Sequence, residues 1–406
     1  MTHPKLIGPI TQLVALPDMP LKGALANDQL TIISQAGIVV KDGLIVAIGP
    51  YDTFNTEDYQ LEVLTEDSVV IPGMIDAHTH LIWAGSRAGD YSLRTEGKSY
   101  QDILAAGGGI FDSVSKTQEA TSEELRKNVL IRASRHLRDG ITTIEVKTGY
   151  GLEVAKELEL LKIIRQARAE AVADLVPTCL AAHVCPKRFA PEEFLAHLEA
   201  ELLPKLLVSG LANRIDIFVE ENAFPPAVAR PYLAAAKKLG FDLTIHADQF
   251  TVGGSELAVE FGARSADHLE ASQDREIALL ASADVIPVAL PGASLGLGMQ
   301  FTPARKLLDA GASLAIATDW NPGSAPMGDL LVQAALLGAY EKLSAAELLA
   351  GVTYRAAAAL GLADRGRLAV GERADFSAFP LTDFREIFYN QGKVKPEMVW
   401  KAGNKV

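Results

Sequence analysis

From about residue 70 to 345, apolar runs of strand length alternate with amphipathic helical stretches. The runs cover 69–78, 141–146, 174–184, 214–220, 242–247, 265–269, 284–290 and 313–318, and each is followed by a helical pattern or a long loop. One such helix is bounded by a Thr121-x-x-Glu124 capping box and by Gly140, a residue suited to a C-terminal stop. Eight alternating β and α units predict an α/β fold, a (β/α)8 TIM-type barrel. A doubly wound sheet is the alternative. It would not need eight units, and it would usually place a glycine-rich phosphate loop after its first strand. Here the first strand ends in His78-Thr79-His80 instead.

The flanks have a different texture. Gly37 to Gly49 reads as a hairpin, with an Asp42-Gly43 turn between two apolar runs, and Gly366 to Phe376 reads as turn, strand, turn, strand. Both ends are therefore expected to pair into one small composite β-sandwich domain, residues 1–70 and 356–406, around a catalytic barrel of residues 71–355. A net charge of −13, with no basic run, argues against nucleic acid and against an anionic membrane surface as partners. No uninterrupted apolar stretch is long enough to span a bilayer, and Met1-Thr2-His3-Pro4-Lys5 lacks a charged-then-apolar signal layout. Two cysteines, Cys179 and Cys185, are too few for a disulfide scaffold and wrongly spaced for structural zinc. They are expected to be buried free thiols in a reducing cytoplasm.

In a barrel of this kind the site lies at the C-terminal ends of the strands. Residues i and i+2 of a strand share a face, so His78 and His80 can reach one ion. His183 closes the third run, His246 the fifth and His268 the sixth, so five of the eight histidines fall at predicted strand ends. Packing alone explains such a gathering poorly, because buried imidazoles need partners. The eighth run ends in Thr318-Asp319, which suits a metal carboxylate or a general base, or else an N-cap. His3, His136 and His197 are expected to be surface or helix-face residues. Arg87, just past the first strand, offers a guanidinium fork for a substrate carboxylate; its structural alternative is a surface salt bridge. Tyr150 can stack on a flat ring or donate a hydrogen bond, or sit in the core. Gly107-Gly108-Gly109 has neither a strand before it nor a Lys-Ser/Thr after it, so it reads as a loop over the site mouth.

These residues together resemble the amidohydrolase superfamily, which combines His-x-His on strand one with His on strands five and six and Asp on strand eight. Within it the chain is similar to the imidazolonepropionase family of histidine degradation. The resemblance is carried by Asp76-Ala77-His78-Thr79-His80-Leu81, Ala84-Gly85-Ser86-Arg87, Gly107-Gly108-Gly109-Ile110 and Glu145-Val146-Lys147-Thr148-Gly149-Tyr150-Gly151-Leu152. It continues through His246-Ala247-Asp248-Gln249, Ser265-Ala266-Asp267-His268-Leu269 and Ala317-Thr318-Asp319-Trp320-Asn321-Pro322-Gly323-Ser324.

The resemblance implies that His78, His80, His246 and Asp319 hold one divalent ion, zinc or iron. It implies substrate contacts from Arg87, Tyr150, His183, Gln249, Asn321, Gly323 and Ser324, with Asp319, His268 and Gln249 at the reacting centre. Many members have Glu at the position of Gln249; a neutral amide is no base, so that task passes to His268 or Asp319. Thr148 stands where Ser is more usual. Lys147 invites the reading of a carboxylated lysine between two metals, but that lysine belongs on strand four, which here ends Phe218-Val219-Glu220. The implied reaction is opening of a cyclic amide, 4-imidazolone-5-propanoate plus water to N-formimidoyl-L-glutamate, by a cytoplasmic homodimer. The alternatives are another mononuclear amidohydrolase that deaminates a nucleobase or related heterocycle, which Arg87 disfavours, and a non-catalytic scaffold, which retention of every ligand disfavours.

Overall fold

The computed structural model describes residues 3–99, 102–103 and 107–406, so Met1 and Thr2 of the N-terminal pentapeptide lie outside the described residues. The chain opens with β1 (Lys5–Val14), β2 (Ile32–Lys41), β3 (Leu44–Pro50), β4 (Gln60–Val63) and β5 (Val69–Pro72). Then come β6 (Met74–Asp76), β7 (Ile141–Lys147), β8 (Asp174–Ala182), β9 (Arg214–Phe218), β10 (Asp242–Ala247), β11 (Ser265–His268), β12 (Ile286–Ala289) and β13 (Ala315–Ile316). The strands β14 (Phe376–Phe379), β15 (Met398–Lys401) and β16 (Asn404–Lys405) end it.

β6 to β13 form one eight-stranded sheet in sequential order, parallel at every pairing. The sheet closes through the residues just past its first and last strands. The Asp319 amide donates to the His78 carbonyl (2.9 Å), the His80 amide donates to the Trp320 carbonyl (3.0 Å), and Thr79 bridges Trp320 in parallel register. This is the expected barrel. Its helices lay their apolar faces on the strands: Val154–Glu170 buries Leu160, Leu161, Ile164 and Ala167 and packs on β8. The Thr121 hydroxyl caps the helix Ser122–Arg138 by accepting from the Glu124 amide, and Gly140 follows with a positive φ of 88°.

The run 69–78, expected as one strand, is two. β5 pairs with β1 and β14 in the terminal sheet, whereas β6 pairs with β7 in the barrel. The chain changes sheets at Gly73, whose amide donates to the Asp375 carbonyl (2.8 Å). A Cβ there would lie 2.4 Å from Thr142 Oγ1, so only glycine lets β7 come this close. The eighth run, expected over 313–318, keeps regular pairing only at Ala315–Ile316, because the backbone beyond it turns into the seam.

The termini build one composite β-unit, a mixed sheet with the path β16-β15-β14-β5-β1-β2-β3 and β4 beside β1. A bridge between Leu44 and Arg373 joins the β3 edge to the segment entering β14, so the sheet curls round Ile7, Ile10, Ile38, Val70, Phe376 and Trp400. The hairpin forms as expected, with Asp42 and Gly43 both at positive φ. The strand expected near 367–370 does not form. The segment is held instead by isolated backbone bonds, from Leu368 to Ala15 (2.8 Å) and from Gly371 to Ile45 (2.8 Å), and by Arg367, which donates to the carbonyls of Leu16 (2.7 Å) and Met19 (3.0 Å). Cys179 is buried and Cys185, in the loop after β8, is only half-buried; neither is in a disulfide. Among the described residues no helix is long and apolar enough to cross a membrane.

Gly73→Ala should lower the unfolding free energy by about 1–3 kcal/mol, the usual cost of overpacking. Urea denaturation checks this, and Thr142→Ala in the same chain should recover part of the loss.

Candidate functional site

The strand ends deliver the five histidines to one cluster. Ring centroids lie 4.5 Å apart for His78 and His246, 5.4 Å for His78 and His80, 5.3 Å for His246 and His268, and 5.1 Å for His80 and His183. Asp319 enters across the seam, with Oδ1 3.2 Å from His80 Nε2 and 3.5 Å from His78 Nε2. Donor atoms of His78, His80 and Asp319 fall within 4.8 Å of one another, as do those of His78, His246 and His268. His3 and His197 are exposed, as expected. His136 is not a surface residue. It is fully buried on the inner side of its helix, with Nε2 3.0 Å from Asp76 Oδ2. Asp76 also accepts from the Thr318 amide (3.0 Å) and hydroxyl (2.5 Å), and so holds the residue before Asp319 against the first strand.

Buried carboxylates stand behind the histidines. Asp267 Oδ2 lies 2.7 Å from His78 Nδ1, and Asp216 Oδ2 lies 3.0 Å from His246 Nδ1. Each carboxylate favours a proton on Nδ1 and leaves Nε2 with its lone pair facing the cluster. His78 Nε2, His246 Nε2 and Asp319 Oδ1 are buried with no hydrogen-bond partner in the protein. Buried polar atoms are rarely left this way. Two overlapping triads, His78-His80-Asp319 and His78-His246-His268, share His78; imidazole nitrogens beside a carboxylate oxygen are the donor set of a divalent transition metal, and the orphaned atoms fit that ion. Burial holds His78 far below the usual histidine pKa and His246 down to about 4, so both imidazoles are neutral at pH 7. Burial would raise Asp319, but the imidazoles beside it, His80 before His268 and His246, outweigh that and hold its pKa below the usual carboxylate value.

His268 is set apart by its acidic neighbour. Burial would lower its pKa, but Glu270, with Oε2 3.5 Å from Nδ1, carries it above the usual value. His268 and Asp319 also adopt left-handed backbone, with φ of 86° and 51°. Such conformations cost about 1–3 kcal/mol each and gather where geometry at a site outranks local comfort.

Above the cluster opens a cavity of about 650 Å³ whose wall includes Arg87, Tyr150, His183, Gln249, Asn321 and Ser324. Arg87 Nε donates to Asp90 Oδ2 (2.7 Å), which aims the rest of the guanidinium, and the same oxygen accepts from the Gly109 amide (2.9 Å). The Gly107–Gly109 segment is thereby tied to Arg87 beside the mouth. Tyr150 sits on a loop pinned by the buried Glu157 carboxylate, which accepts from the amides of Gly149, Gly151 and Leu152. Asn321 Oδ1 accepts from the amides of Gly323 (2.7 Å) and Ser324 (2.9 Å), while its Nδ2 donates to the Asp319 carbonyl (2.6 Å). Gly323 passes so close to the guanidinium that a Cβ there would lie 2.2 Å from Arg87 Nη1. All the expected site residues thus meet in one place.

The same architecture recurs in known proteins. The sequence signature of the Amidohydrolase family matches residues 69–406. An imidazolonepropionase of Deinococcus radiodurans is 40% identical over 395 residues, covering 97% of this chain and 97% of its own. One from Bdellovibrio bacteriovorus is 37% identical, covering 96% and 94%. The chain belongs to the amidohydrolase family, among its imidazolonepropionases. Among solved structures, the zinc complex of an atrazine chlorohydrolase from Arthrobacter aurescens shares the fold, with a TM-score of 0.72 at 17% identity over 99% of this chain and 94% of that one. So does a guanine deaminase from C. acetobutylicum with bound guanine, with a TM-score of 0.71 at 16% identity over 99% and 100%.

Sequence reasoning missed the supporting shell of Asp76, Glu145, Asp216, Asp267, Glu157 and Glu270. The signal was available for three of them, which are charged residues inside otherwise apolar strands: Ile144-Glu145-Val146, Ile215-Asp216-Ile217 and Ala266-Asp267-His268. Asp76→Ala would leave His136 and two Thr318 donors buried without an acceptor. It should lower the unfolding free energy by about 3 kcal/mol or more, measured in urea.

Proposed function

We propose that this protein hydrolyses 4-imidazolone-5-propanoate to N-formimidoyl-L-glutamate, with His78, His80, His246 and Asp319 holding one divalent ion, zinc or iron. The observation that carries this reading is that His80, His246, Asp319 and Arg87 line a single cavity, with His78 grouped beside His80 and Asp319 at its floor. When bound, the ion supplies Lewis acidity, lowering the pKa of a water to about 7 and polarising a carbonyl.

The chain's own residues do the rest. Arg87, steadied by Asp90, pairs with the propionate carboxylate. Tyr150 and His183, in tilted ring contact with centroids 5.6 Å apart, together line one side of the flat ring. Asp319 takes a proton from the attacking water as oxygen adds to the ring carbonyl carbon. It returns that proton to the ring nitrogen as the C–N bond breaks. His268, whose pKa burial would lower but Glu270 raises above the usual value, donates to the carbonyl oxygen as negative charge develops there. Gln249 gives or accepts a hydrogen bond at the ring but moves no proton. Asn321 fixes the turn on which Gly323 and Ser324 complete the substrate wall. We assign the catalytic unit to residues 71–355 and a structural role to the composite unit of 1–70 and 356–406, in a cytoplasmic homodimer.

The test is turnover of freshly made 4-imidazolone-5-propanoate, with formimidoylglutamate measured as product and guanine as a control substrate. Arg87→Met should raise KM about 10-fold or more, matching the loss of one charge-assisted pair, with a smaller change in kcat. An unchanged KM places the carboxylate elsewhere, and turnover of guanine alone overturns the substrate assignment.

A further inference from the structure

Lys147 ends β7 at the floor of the cluster and is fully buried. Its Nζ lies 2.8 Å from Glu145 Oε1, 2.8 Å from Asp216 Oδ2 and 3.7 Å from Asp267 Oδ2. Each of these carboxylates also holds a different part of the histidine set. Glu145 Oε2 accepts from the Thr79 amide (3.2 Å), between His78 and His80. Asp216 Oδ2 faces His246 Nδ1 at 3.0 Å, and Asp267 Oδ2 faces His78 Nδ1 at 2.7 Å. One ammonium therefore stands at the hub of three spokes, and the spokes end on the segments that carry three histidines.

We propose that Lys147 is a positioning residue for the metal centre, an internal cation that sets the three carboxylates in the orientation that aims His78, His80 and His246. The proposal rests on the reading that those histidines and Asp319 hold an ion. Three carboxylates this close repel one another strongly in a dry interior, and each would turn away without a cation among them. An ammonium suits the task because its three donors point in three directions from a single charge. Burial would lower the lysine's pKa, but Asp216 and Glu145 more than offset it, so the side chain stays charged. Nζ is already engaged by two carboxylates at 2.8 Å, which leaves no room for carboxylation into a bridging ligand.

This role makes a prediction opposite to simple electrostatics. If Lys147 were only a positive charge near a cation, Lys147→Met would tighten metal binding. If it positions the ligands, Lys147→Met should release metal faster and change the coordination. The probe is cobalt(II) alone, loaded into the full chain after chelator treatment, with two readouts: the d–d absorption spectrum and the rate of cobalt loss to excess chelator. Lys147→Met should shift the d–d bands and speed cobalt loss about 10- to 100-fold, the usual reach of groups that orient ligands. An unshifted spectrum, or loss as slow as wild type, overturns the proposal. If Lys147→Met does not fold, Glu145→Gln cuts one spoke while touching no ligand side chain. Shifted bands and faster cobalt loss are then expected of Glu145→Gln, and a wild-type spectrum or wild-type rate overturns the proposal. Wild type lacking any cobalt ligand-field spectrum would instead overturn the ligand assignment itself, so the two failures are distinct.

Discussion

Everything at the rim depends on the seam where the first barrel strand meets the last. Two backbone bonds, from Asp319 to His78 and from His80 to Trp320, bring a carboxylate from one end of the barrel beside two imidazoles from the other. Asp76 reinforces the seam by accepting twice from Thr318 and facing His136 from the surrounding helix. Without that closure the ligands would be spread over segments more than two hundred residues apart in sequence, roughly the length of a whole barrel. With it, the loop after Asp319 also falls beside Arg87, so the histidine–aspartate cluster and the guanidinium are placed by one event.

The centre is costly by the rules that govern the rest of the interior. It buries several carboxylates, orphans imidazole nitrogens and bends His268 and Asp319 into left-handed backbone. Each feature opposes folding and is tolerated because the apolar layers beneath and around it are extensive. The compensation is local as well. Each buried acid finds a donor, whether His78 for Asp267, Thr318 for Asp76 or three loop amides for Glu157. The polar shell thus works as a set of braces, and among the atoms it leaves unpaired are His78 Nε2, His246 Nε2 and Asp319 Oδ1.

Much of this was legible in the chain itself. Alternating strand and helix patterns revealed the barrel, and sorting histidines by strand end picked out the five that cluster. The exceptions have physical causes. The switch at Gly73 is invisible to periodicity, because β5 and β6 are both buried and both apolar, and only the approach of Thr142 separates them. His136 lies at a helix position where polar residues usually face water; its partner Asp76 is sixty residues away in sequence and adjacent only once the barrel has closed. The strand expected near 367–370 is replaced by isolated backbone bonds from Leu368 and Gly371 and a side-chain clasp from Arg367, which pattern reading does not register. Asp216 and Asp267 were readable as charges inside apolar strands, but which histidine each would brace follows only from register.

The central claim is that four residues from three strand ends, two of which meet at the seam, enclose one ion. Anomalous diffraction at the zinc and iron absorption edges, on crystals of the protein as purified, tests this directly. A single peak is expected at about 2.0–2.2 Å from nitrogens of His78, His80 and His246 and from an oxygen of Asp319. A peak held without Asp319, or a second peak beside Lys147, would contradict it.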